Sequence, residues 1–227
     1  LVSTVIGEIL GIDPDSIRVV RPNSLESLPG NSPVGSRMAI MLGGAAARAA
    51  EKLKVKITAI AAHHLECDAT SIYYQGGTML SANGRHVTWD DIIESAHRQI
   101  HRLPEGMDPG LASFDIMQVP TGGDLPKDGK VHMYPCYSFE FHLVLVAFDP
   151  IIGKPEIRSY FIGHDCGTVI NPAIVSGMTY GGIAHGIGAA LLEEFAYDES
   201  GQLMTQSFLD YLMPSSHEVP DIQLVKH

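Results

Sequence analysis

Apolar residues at helical spacing, interrupted by stretches rich in glycine and proline, define the predicted elements of the first half of the chain. Apolar side chains recur every three or four positions over Leu1–Leu10, and Gly11 is a natural helix stop, so this stretch predicts a helix. A turn and a short strand over Ile17–Val20 follow. After a loop rich in Pro, Asn, Ser and Gly, an alanine-rich run predicts a long helix from an N-cap at Ser36 to Leu65.

Hairpin and capping signals define the rest of the chain. The Asn83-Gly84 pair predicts a β-hairpin, and Thr88 with Asp91 predicts a capped helix start. Two long β-rich runs around "DPIIGKP" predict a second hairpin, and Asn171 is a suitable cap for the glycine-rich helix that follows it. The remaining predicted elements are a helix over 89–103, a short strand over 114–119, the second hairpin over 137–167, the glycine-rich helix over 172–194 and a closing strand over 222–225.

These helices and antiparallel strands alternate without the regular strand–helix–strand rhythm of a doubly wound sheet. The mixture predicts an α+β fold in which mixed or antiparallel sheets pack with long helices. With 227 residues, 45% hydrophobic and 18% charged, the composition is that of a globular protein with one large domain or two small ones. We therefore expect one structural region over 1–227, which the pattern divides into subdomains 1–105 and 106–227.

Charge, apolar runs and cysteines exclude several classes of function. The net charge is -11 and Lys and Arg are scattered, so the chain lacks the cationic surface that binds nucleic acid. No apolar run reaches the roughly 18 residues of a membrane helix, so we expect no membrane span. The three cysteines, Cys67, Cys136 and Cys166, lack paired spacing. They argue against a disulfide framework and for a reducing compartment, and we expect a cytoplasmic protein.

The loop-to-helix junction "SPVGSRMAI" has the ingredients of a phosphate or pyrophosphate cradle. Gly35 permits close approach of a ligand, Ser36 offers a hydroxyl, and Arg37 brings a forked cation. The N–H groups that follow lie at a helix N-terminus, which attracts anions. Because Gly-Ser-Arg is a weak pattern, the alternative is an ordinary capped helix whose arginine is solvated. A nucleotide-binding module that uses this cradle for another phosphate is a third interpretation.

Glycines recur inside the helix predicted over 172–194, where each costs about 1 kcal/mol relative to alanine. They do not form the G-x-G-x-x-G turn of dinucleotide-binding folds, because they lie within a helix. Their i, i+4 spacing instead creates a smooth face, which we expect to pack tightly against another helix or a sheet. Met178 and His185 could still project toward a ligand. The glycines are Gly177, Gly181, Gly182, Gly186 and Gly188.

Two further groups of polar residues have simple structural explanations. The stretch His63–Cys67 brings three potential metal ligands together, but no partner motif accompanies them, so we interpret it as an ordinary helix end. Glu193 and Glu194 could act as an acid–base pair, but they lie at the end of a helix just before a turn, which favours solvated carboxylates. We therefore predict no metal-ligand residues in this chain.

Four blocks in a fixed order carry a family resemblance. The blocks are "LVSTVIGEILGIDPDSIRVVRP", "GSRMAIMLGGAAARAAEKLK", "AFDPIIGKPEIRSYFIGHDCGTVINP" and "VSGMTYGGIAHGIGAALLEE". On these blocks the chain resembles the molybdopterin-binding large subunit of the xanthine dehydrogenase / aldehyde oxidase / carbon monoxide dehydrogenase family. The resemblance covers nearly the whole chain and corresponds to the C-terminal part of the family's molybdenum-binding region.

The resemblance implies an oxidoreductase, a molybdenum hydroxylase that hydroxylates an aldehyde or a heteroaromatic small molecule with oxygen from water. The implied cofactor is molybdopterin in a dinucleotide form with molybdenum, and iron-sulfur clusters and FAD would lie on partner subunits or domains. The implied partners are the remaining part of the molybdenum subunit, an iron-sulfur subunit and a flavin subunit. The alternative is a non-catalytic structural or interaction domain that keeps the family fold without molybdenum.

The resemblance also assigns roles to individual residues. Gly35, Ser36 and Arg37 would line the pyrophosphate or its nucleotide extension, and Met38 and Met178 would lie near the cofactor. At Met178 the family usually has Gln, and at Met38 often Ser, so the exact cofactor contacts differ here. The family's Gln-Gly-His loop would precede Leu1, and its general base, a glutamate, would lie beyond His227. We expect a segment of a longer polypeptide or a piece of a split subunit, with no catalytic residue of its own and inactive alone.

Overall fold

The chain forms two compact units, Leu1–Pro135 and Cys136–His227. The boundary between them falls after Pro135, and residues beyond 105 contribute to the first unit. The computed structural model describes residues 1–21, 23–25, 35, 37–75, 77–118, 128–130 and 136–226, the last without its side chain.

The first unit combines three α-helices with a small antiparallel sheet in the order β1-β2-β3. Gly11, at φ 65°, ends the first helix in the left-handed conformation, which confirms the predicted stop. The predicted strand over Ile17–Val20 is wrong, since these residues pair with no described strand and the Val19 and Val20 side chains are exposed. The elements are α1 (Val2–Leu10), a π-helix (Met38–Gly43), α2 (Gly44–Leu65), β1 (Tyr73–Gln75), β2 (Thr78–Leu80), β3 (His86–Thr88) and α3 (Trp89–His97).

The core of the first unit is formed by side chains from its helices and its small sheet. Ile57 and Ile60 from α2, Met79 from β2 and Ile92 from α3 are fully buried, each at 0% exposure. Met107 and other apolar residues of the segment after residue 105 pack against this core. The strand predicted over 114–119 is absent over its described part, 114–118. That segment is instead attached to α2 through side-chain contacts of Asp115.

The second unit is a three-stranded sheet covered by one helix. β4 (Phe139–Asp149) pairs antiparallel with β5 (Lys154–Asp165), with a bulge between Leu145 and Val146. β6 (Ile222–Lys226) runs parallel to the other edge of β5. α4 (Pro172–Leu191) packs on the sheet, and Ile162, Ile183 and Ile187 form the core between them. The two units together confirm the predicted α+β fold.

Predicted caps fix the starts of both amphipathic and glycine-rich helices. Thr88 and Asp91 form the capping box of α3, and the Asn171 side chain accepts a hydrogen bond from the N–H of Ile174 at 3.1 Å at the start of α4. The helix α4 ends at Leu191, three residues before the predicted end at Glu194. In the part of the chain that the structure describes, no helix is both long and apolar enough to cross a membrane.

Candidate functional site

The turn that begins the long helix of the first unit is suited to an anion. Gly35 has φ 77°, in the left-handed region that favours glycine. Arg37 precedes the π-helix, and its carbonyl accepts a hydrogen bond from the N–H of Met41 at 2.8 Å. The positive end of the helix dipole therefore lies at Arg37 and Met38, where a negatively charged group is stabilised. Ser36 lies outside the described residues.

The long helix of the first unit does not begin with regular α-helical turns. Residues Met38–Gly43 form a π-helix, which sequence reasoning missed, before regular α-helical bonding begins at Gly44. A Cβ atom added at Gly44 would lie 3.1 Å from Cγ of Met117, so the Met117 side chain packs closely against the backbone at this position. The side chain of Met38 is 46% exposed, beside the turn. The predicted site residues Gly35, Arg37 and Met38 thus occupy one turn.

The helix α4 of the second unit has one buried face. Thr179, Ile183 and Ile187 are buried, at i, i+4 spacing. The two isoleucines pack with Ile162 of β5 and with partly buried side chains of β6. Packing of this face attaches α4 to the sheet, so residues on the other faces of the helix point away from the sheet.

The glycines of α4 leave a second face of the helix open. We define the glycine face as Gly177, Gly181, Gly182 and Gly186. A Cβ atom added at any of these positions would meet no described atom within 4 Å. The expectation that this face packs tightly against another element is therefore wrong for the described residues. At Gly188, by contrast, an added Cβ would lie 2.8 Å from Cδ of Pro214.

Beside the glycine face, α4 and β4 enclose a groove of about 300 Å³, which we call the β4–α4 groove. The predicted site residue Met178 lies on its helical side and is 74% exposed. His185, the other helix residue expected to face a ligand, is exposed but does not line this groove. The lining residues are Glu140, His142, Tyr160, Met178, Thr179, Gly182, Ile183 and Gly186.

Polar side chains of the two long strands form a connected network on the floor of the groove. Nδ1 of His142 lies 3.0 Å from the Tyr160 hydroxyl, and Nε2 of the same ring lies 3.3 Å from Oε2 of Glu140. The imidazole and phenol rings meet edge to face, with centroids 5.8 Å apart. An imidazole thus bridges a carboxylate and a hydroxyl, an arrangement that can orient the hydroxyl and move a proton.

Glu140 also approaches a second imidazole. Its Oε1 lies 2.8 Å from Nδ1 of His164, although the two atoms are not aligned as a hydrogen bond and this nitrogen is otherwise buried without a described partner. The pKa of Tyr160 is raised, first because burial disfavours the phenolate and then because the Glu140 charge lies near. The phenol therefore stays protonated near neutral pH and acts through its O–H and its lone pairs.

Two of the other polar residues singled out in the sequence, His64 and Glu193, make side-chain contacts within the fold. His64 contacts the Ser95 hydroxyl at 3.1 Å and Arg102 at 3.4 Å, and burial, followed by the Arg102 charge, lowers its pKa. Glu193 accepts a hydrogen bond from the Tyr211 hydroxyl at 2.5 Å, so it is not simply solvated as predicted. Among the described residues, no three His, Cys, Asp or Glu side chains are placed to hold a metal ion.

Sequence reasoning missed the residues that form the network. Glu140 and His142 alternate with apolar residues in "FEFHLVLV", so their side chains share one face of β4. Two polar positions on one face of an apolar strand were a usable signal, but their partner Tyr160 lies on the next strand. The structure brings these three together with Met178 in the second unit. Gly35, Arg37 and Met38 belong to the first unit.

A family model described as the molybdopterin cofactor-binding domain matches residues 1–220 of the chain. The large subunit of nicotine 6-hydroxylase from Paenarthrobacter nicotinovorans is 32% identical over 97% of this chain and 26% of its own length. The large chain of carbon monoxide dehydrogenase from Hydrogenophaga pseudoflava is 28% identical over 95% of this chain and 25% of its own. The chain thus spans about a quarter of the length of these relatives.

A solved structure of reconstituted CO dehydrogenase from Oligotropha carboxidovorans superposes on the whole chain. The TM-score is 0.83 at 26% sequence identity, and the match covers 26% of that structure's chain. The fold of the chain therefore matches that structure along its full length, and the sequence matches the family model over residues 1–220. The chain belongs to the molybdopterin cofactor-binding domain family of the molybdenum-binding large subunits.

Proposed function

We propose that the chain is the cofactor-holding part of the large subunit of a molybdenum hydroxylase. The observation that carries this proposal is the glycine face of α4. A Cβ atom added at any of its four glycines would enter open space among the described residues, yet each glycine costs helix stability. These glycines leave the helix backbone beside the groove without side chains. In a chain of this family, such a surface is suited to close approach of a flat cofactor.

The residues present fit the molybdopterin cofactor at two places of different chemistry. The turn with Gly35 and Arg37 supplies a forked cation and a helix N-terminus for the pyrophosphate of a dinucleotide form, and Ser36 would add a hydroxyl. The β4–α4 groove supplies a bare backbone wall and the Met178 thioether. Met38 and Met178 would contact the cofactor through apolar surface, since sulfur accepts hydrogen bonds only weakly.

When bound, the molybdenum–pterin group supplies the oxidation chemistry of the proposed reaction, the hydroxylation of an aldehyde or a heteroaromatic compound with oxygen from water. The role of this chain is to bind and orient that group and to exclude water from it. Iron-sulfur and flavin subunits or domains would receive the electrons, and the rest of the large subunit would supply the general base. The named activity of one relative, nicotine 6-hydroxylase, favours a nitrogen heteroaromatic substrate.

A non-catalytic domain is the second candidate function. The exposed Met178 favours it, because a weak sulfur acceptor stands where the family usually has a glutamine amide. A chain of this kind would keep the groove and the fold but hold no molybdenum.

Metal and nucleotide analysis of the assembled protein separates the two candidates. We expect stoichiometric molybdenum and a released nucleotide from the assembly that contains the full large subunit. Arg37→Ala should lower the molybdenum content, because it removes the cation from the turn, whereas the exposed Arg21→Ala should leave it unchanged. A well-folded wild-type assembly without molybdenum would establish the non-catalytic domain. Full molybdenum occupancy in Arg37→Ala would exclude a role of Arg37 in holding the pyrophosphate of the cofactor.

A further inference from the structure

We propose that the remaining part of the large subunit packs on the face of the second unit's sheet that lies opposite α4. We define this surface, the outer β4 face, by the four side chains of Phe139, Phe141, Leu143 and Leu145. The inference rests on the part of the proposed function that places the chain within a longer large subunit, and it does not depend on a bound cofactor.

The outer β4 face is open to solvent in the part of the chain that the structure describes. Side chains alternate between the two faces of a strand. Glu140 and His142 line the β4–α4 groove, so the odd-numbered positions beside them point away from α4. The four side chains of the outer β4 face are between 57% and 72% exposed. No described helix or strand therefore covers this face.

The sequence of β4 is typical of a strand that is buried on both faces. Residues 143–148, "LVLVAF", form an unbroken apolar run. Such a run is found in strands with a packed layer on either side, whereas a strand with one solvated face alternates apolar and polar residues. The helix α4 supplies one layer through its contacts with Ile162. The second layer is absent from the described residues.

The outer edge of β4 is open as well. The strand order is β4-β5-β6, so β4 pairs on one side only within the described sheet. A long apolar edge strand is a template for aggregation, and native proteins cover or pair such an edge. The open edge and the open face together indicate that another element packs on β4 in the native protein.

A hollow at one end of the outer β4 face is suited to an apolar anchor. It measures about 300 Å³, and the rings of Phe139 and Phe141 lie beside Gly163 of β5 and Val225 of β6 in its wall. A Cβ atom added at Gly163 would meet no described atom within 4 Å, so this glycine leaves the hollow open. The rest of the lining is Glu140, His164 and Asp165. A large apolar side chain of the covering element would fill the hollow, as buried anchors do at stable interfaces.

The chemistry of the outer β4 face favours a permanent neighbour. All four of its side chains are uncharged, and β5 continues the face with Phe161 and Ser159. Interfaces that stay associated resemble a domain core cut in half, whereas contacts between electron-transfer partners are at the small end of interface sizes. The face is therefore better suited to a part of the same subunit than to an iron-sulfur or flavin subunit.

The length of the relatives identifies where that neighbour would come from. The chain spans about a quarter of the large subunits of nicotine 6-hydroxylase and carbon monoxide dehydrogenase. Its fold likewise matches 26% of the chain of the solved CO dehydrogenase. The larger part of a subunit of that size lies outside this chain. Because that part would be tethered to β4, its high effective concentration would exclude competing partners.

Hydroxyl-radical footprinting tests this surface, since the rate of modification reports the exposure of a side chain. Leu143 is compared in the 227-residue chain and in the assembly that contains the full large subunit. We expect rapid modification of Leu143 in the chain, and modification as slow as that of the buried Leu65 in the assembly. Molybdenum is measured in the same preparations. Protection of Leu143 in an assembly without molybdenum would refute the proposed hydroxylase and still support this surface.

Substitutions at Leu143 test the same contact. Leu143→Asp would bury an unpaired carboxylate under the covering layer. We expect it to leave the 227-residue chain folded, as measured by circular dichroism, and to abolish recovery of the full large subunit as soluble protein. Ile151→Asp, at an exposed turn position outside the face, is the control and should give wild-type yields of both. The milder Leu143→Ala should lower the thermal midpoint of the full large subunit by at least about 2 °C and leave that of the 227-residue chain unchanged.

Four footprinting results would overturn the inference. Equally rapid modification of Leu143 in both preparations would show that the face stays open in the assembly. Slow modification in the 227-residue chain at every concentration would assign the cover to the chain itself. Protection that increases with the concentration of the chain would assign it to a second copy. Protection of the large subunit only after an iron-sulfur subunit is added would assign it to that partner.

Discussion

The two compact units bury their apolar side chains to different degrees. In the first, Ile57, Ile60 and Ile92 are at 0% exposure inside a core enclosed by helices and a sheet. In the second, the core is a single layer between α4 and the sheet, and the opposite face of β4 leaves Phe139 and Phe141 largely exposed. The first unit therefore contains the larger set of fully buried apolar side chains. The second presents open surfaces of the kind that mark binding and interaction sites.

The largest expected effect is the loss of stability caused by a cavity in the core of the first unit. Ile60→Ala should lower the free energy of unfolding by about 2–5 kcal/mol, because it leaves a cavity in a region that cannot collapse. The matched change on the exposed face of β4, Leu143→Ala, should alter it by less than about 0.5 kcal/mol. Urea denaturation of the 227-residue chain measures both. Equal losses would show that the β4 face is covered within the chain.

The next effect compares two glycines of the same helix. Gly188→Ala should destabilise by about 1–3 kcal/mol, because its Cβ would overlap the Glu193 carboxylate and crowd Pro214. Gly182→Ala should instead stabilise by about 0.5–1 kcal/mol, because alanine favours the helix and its Cβ enters open space. Thermal unfolding of the two variants gives the signs. A loss of stability in Gly182→Ala would mean that the glycine face is packed.

The smallest effect is a pH dependence in the first unit. The ammonium of Lys52, 2.6 Å away, and then the Arg48 guanidinium, lower the pKa of Asp115, whose side chain is 5% exposed. Because the native pKa lies below the unfolded value of about 4, the ion pair stabilises the protein above that value. This stability is lost as the pH falls from there toward the native pKa.

Asp115→Asn removes this titration and tests its contribution. Unfolding midpoints measured between neutral and acid pH should fall less steeply in Asp115→Asn than in the wild type. The exposed Asp108→Asn, on the same segment, is the control and should keep the wild-type slope. Identical slopes in all three proteins would show that the Asp115 contacts do not contribute.

Local signals in the sequence predicted much of the fold. Gly11, the Thr88–Asp91 capping box and Asn171 mark helix ends through their own backbone and side-chain chemistry, and the β4–β5 hairpin follows from two β-rich runs around a turn. The strand at Ile17–Val20 failed because a strand needs a partner, which β propensity alone does not provide.

The site was less predictable because its parts depend on distant neighbours. The π-helix at Met38–Gly43 lies where Met117 presses on Gly44. His142 meets Tyr160 only through the register of β4 and β5, in which His142 pairs with Ile162. Whether the glycine face is packed or open depends on the surrounding elements, so the helical pattern alone favoured packing.

The most direct test of the account is the molybdenum content of the assembled Gly182→Leu variant. Leucine favours a helix more than glycine does, so the fold should hold, while its side chain would fill the β4–α4 groove. Ala190→Leu, an exposed position of α4 outside the groove lining, is the control. We predict a thermal stability no lower than that of the wild type in both variants and loss of molybdenum from Gly182→Leu alone. Equal molybdenum in the two variants would contradict the claim that the glycine face is kept open for the cofactor.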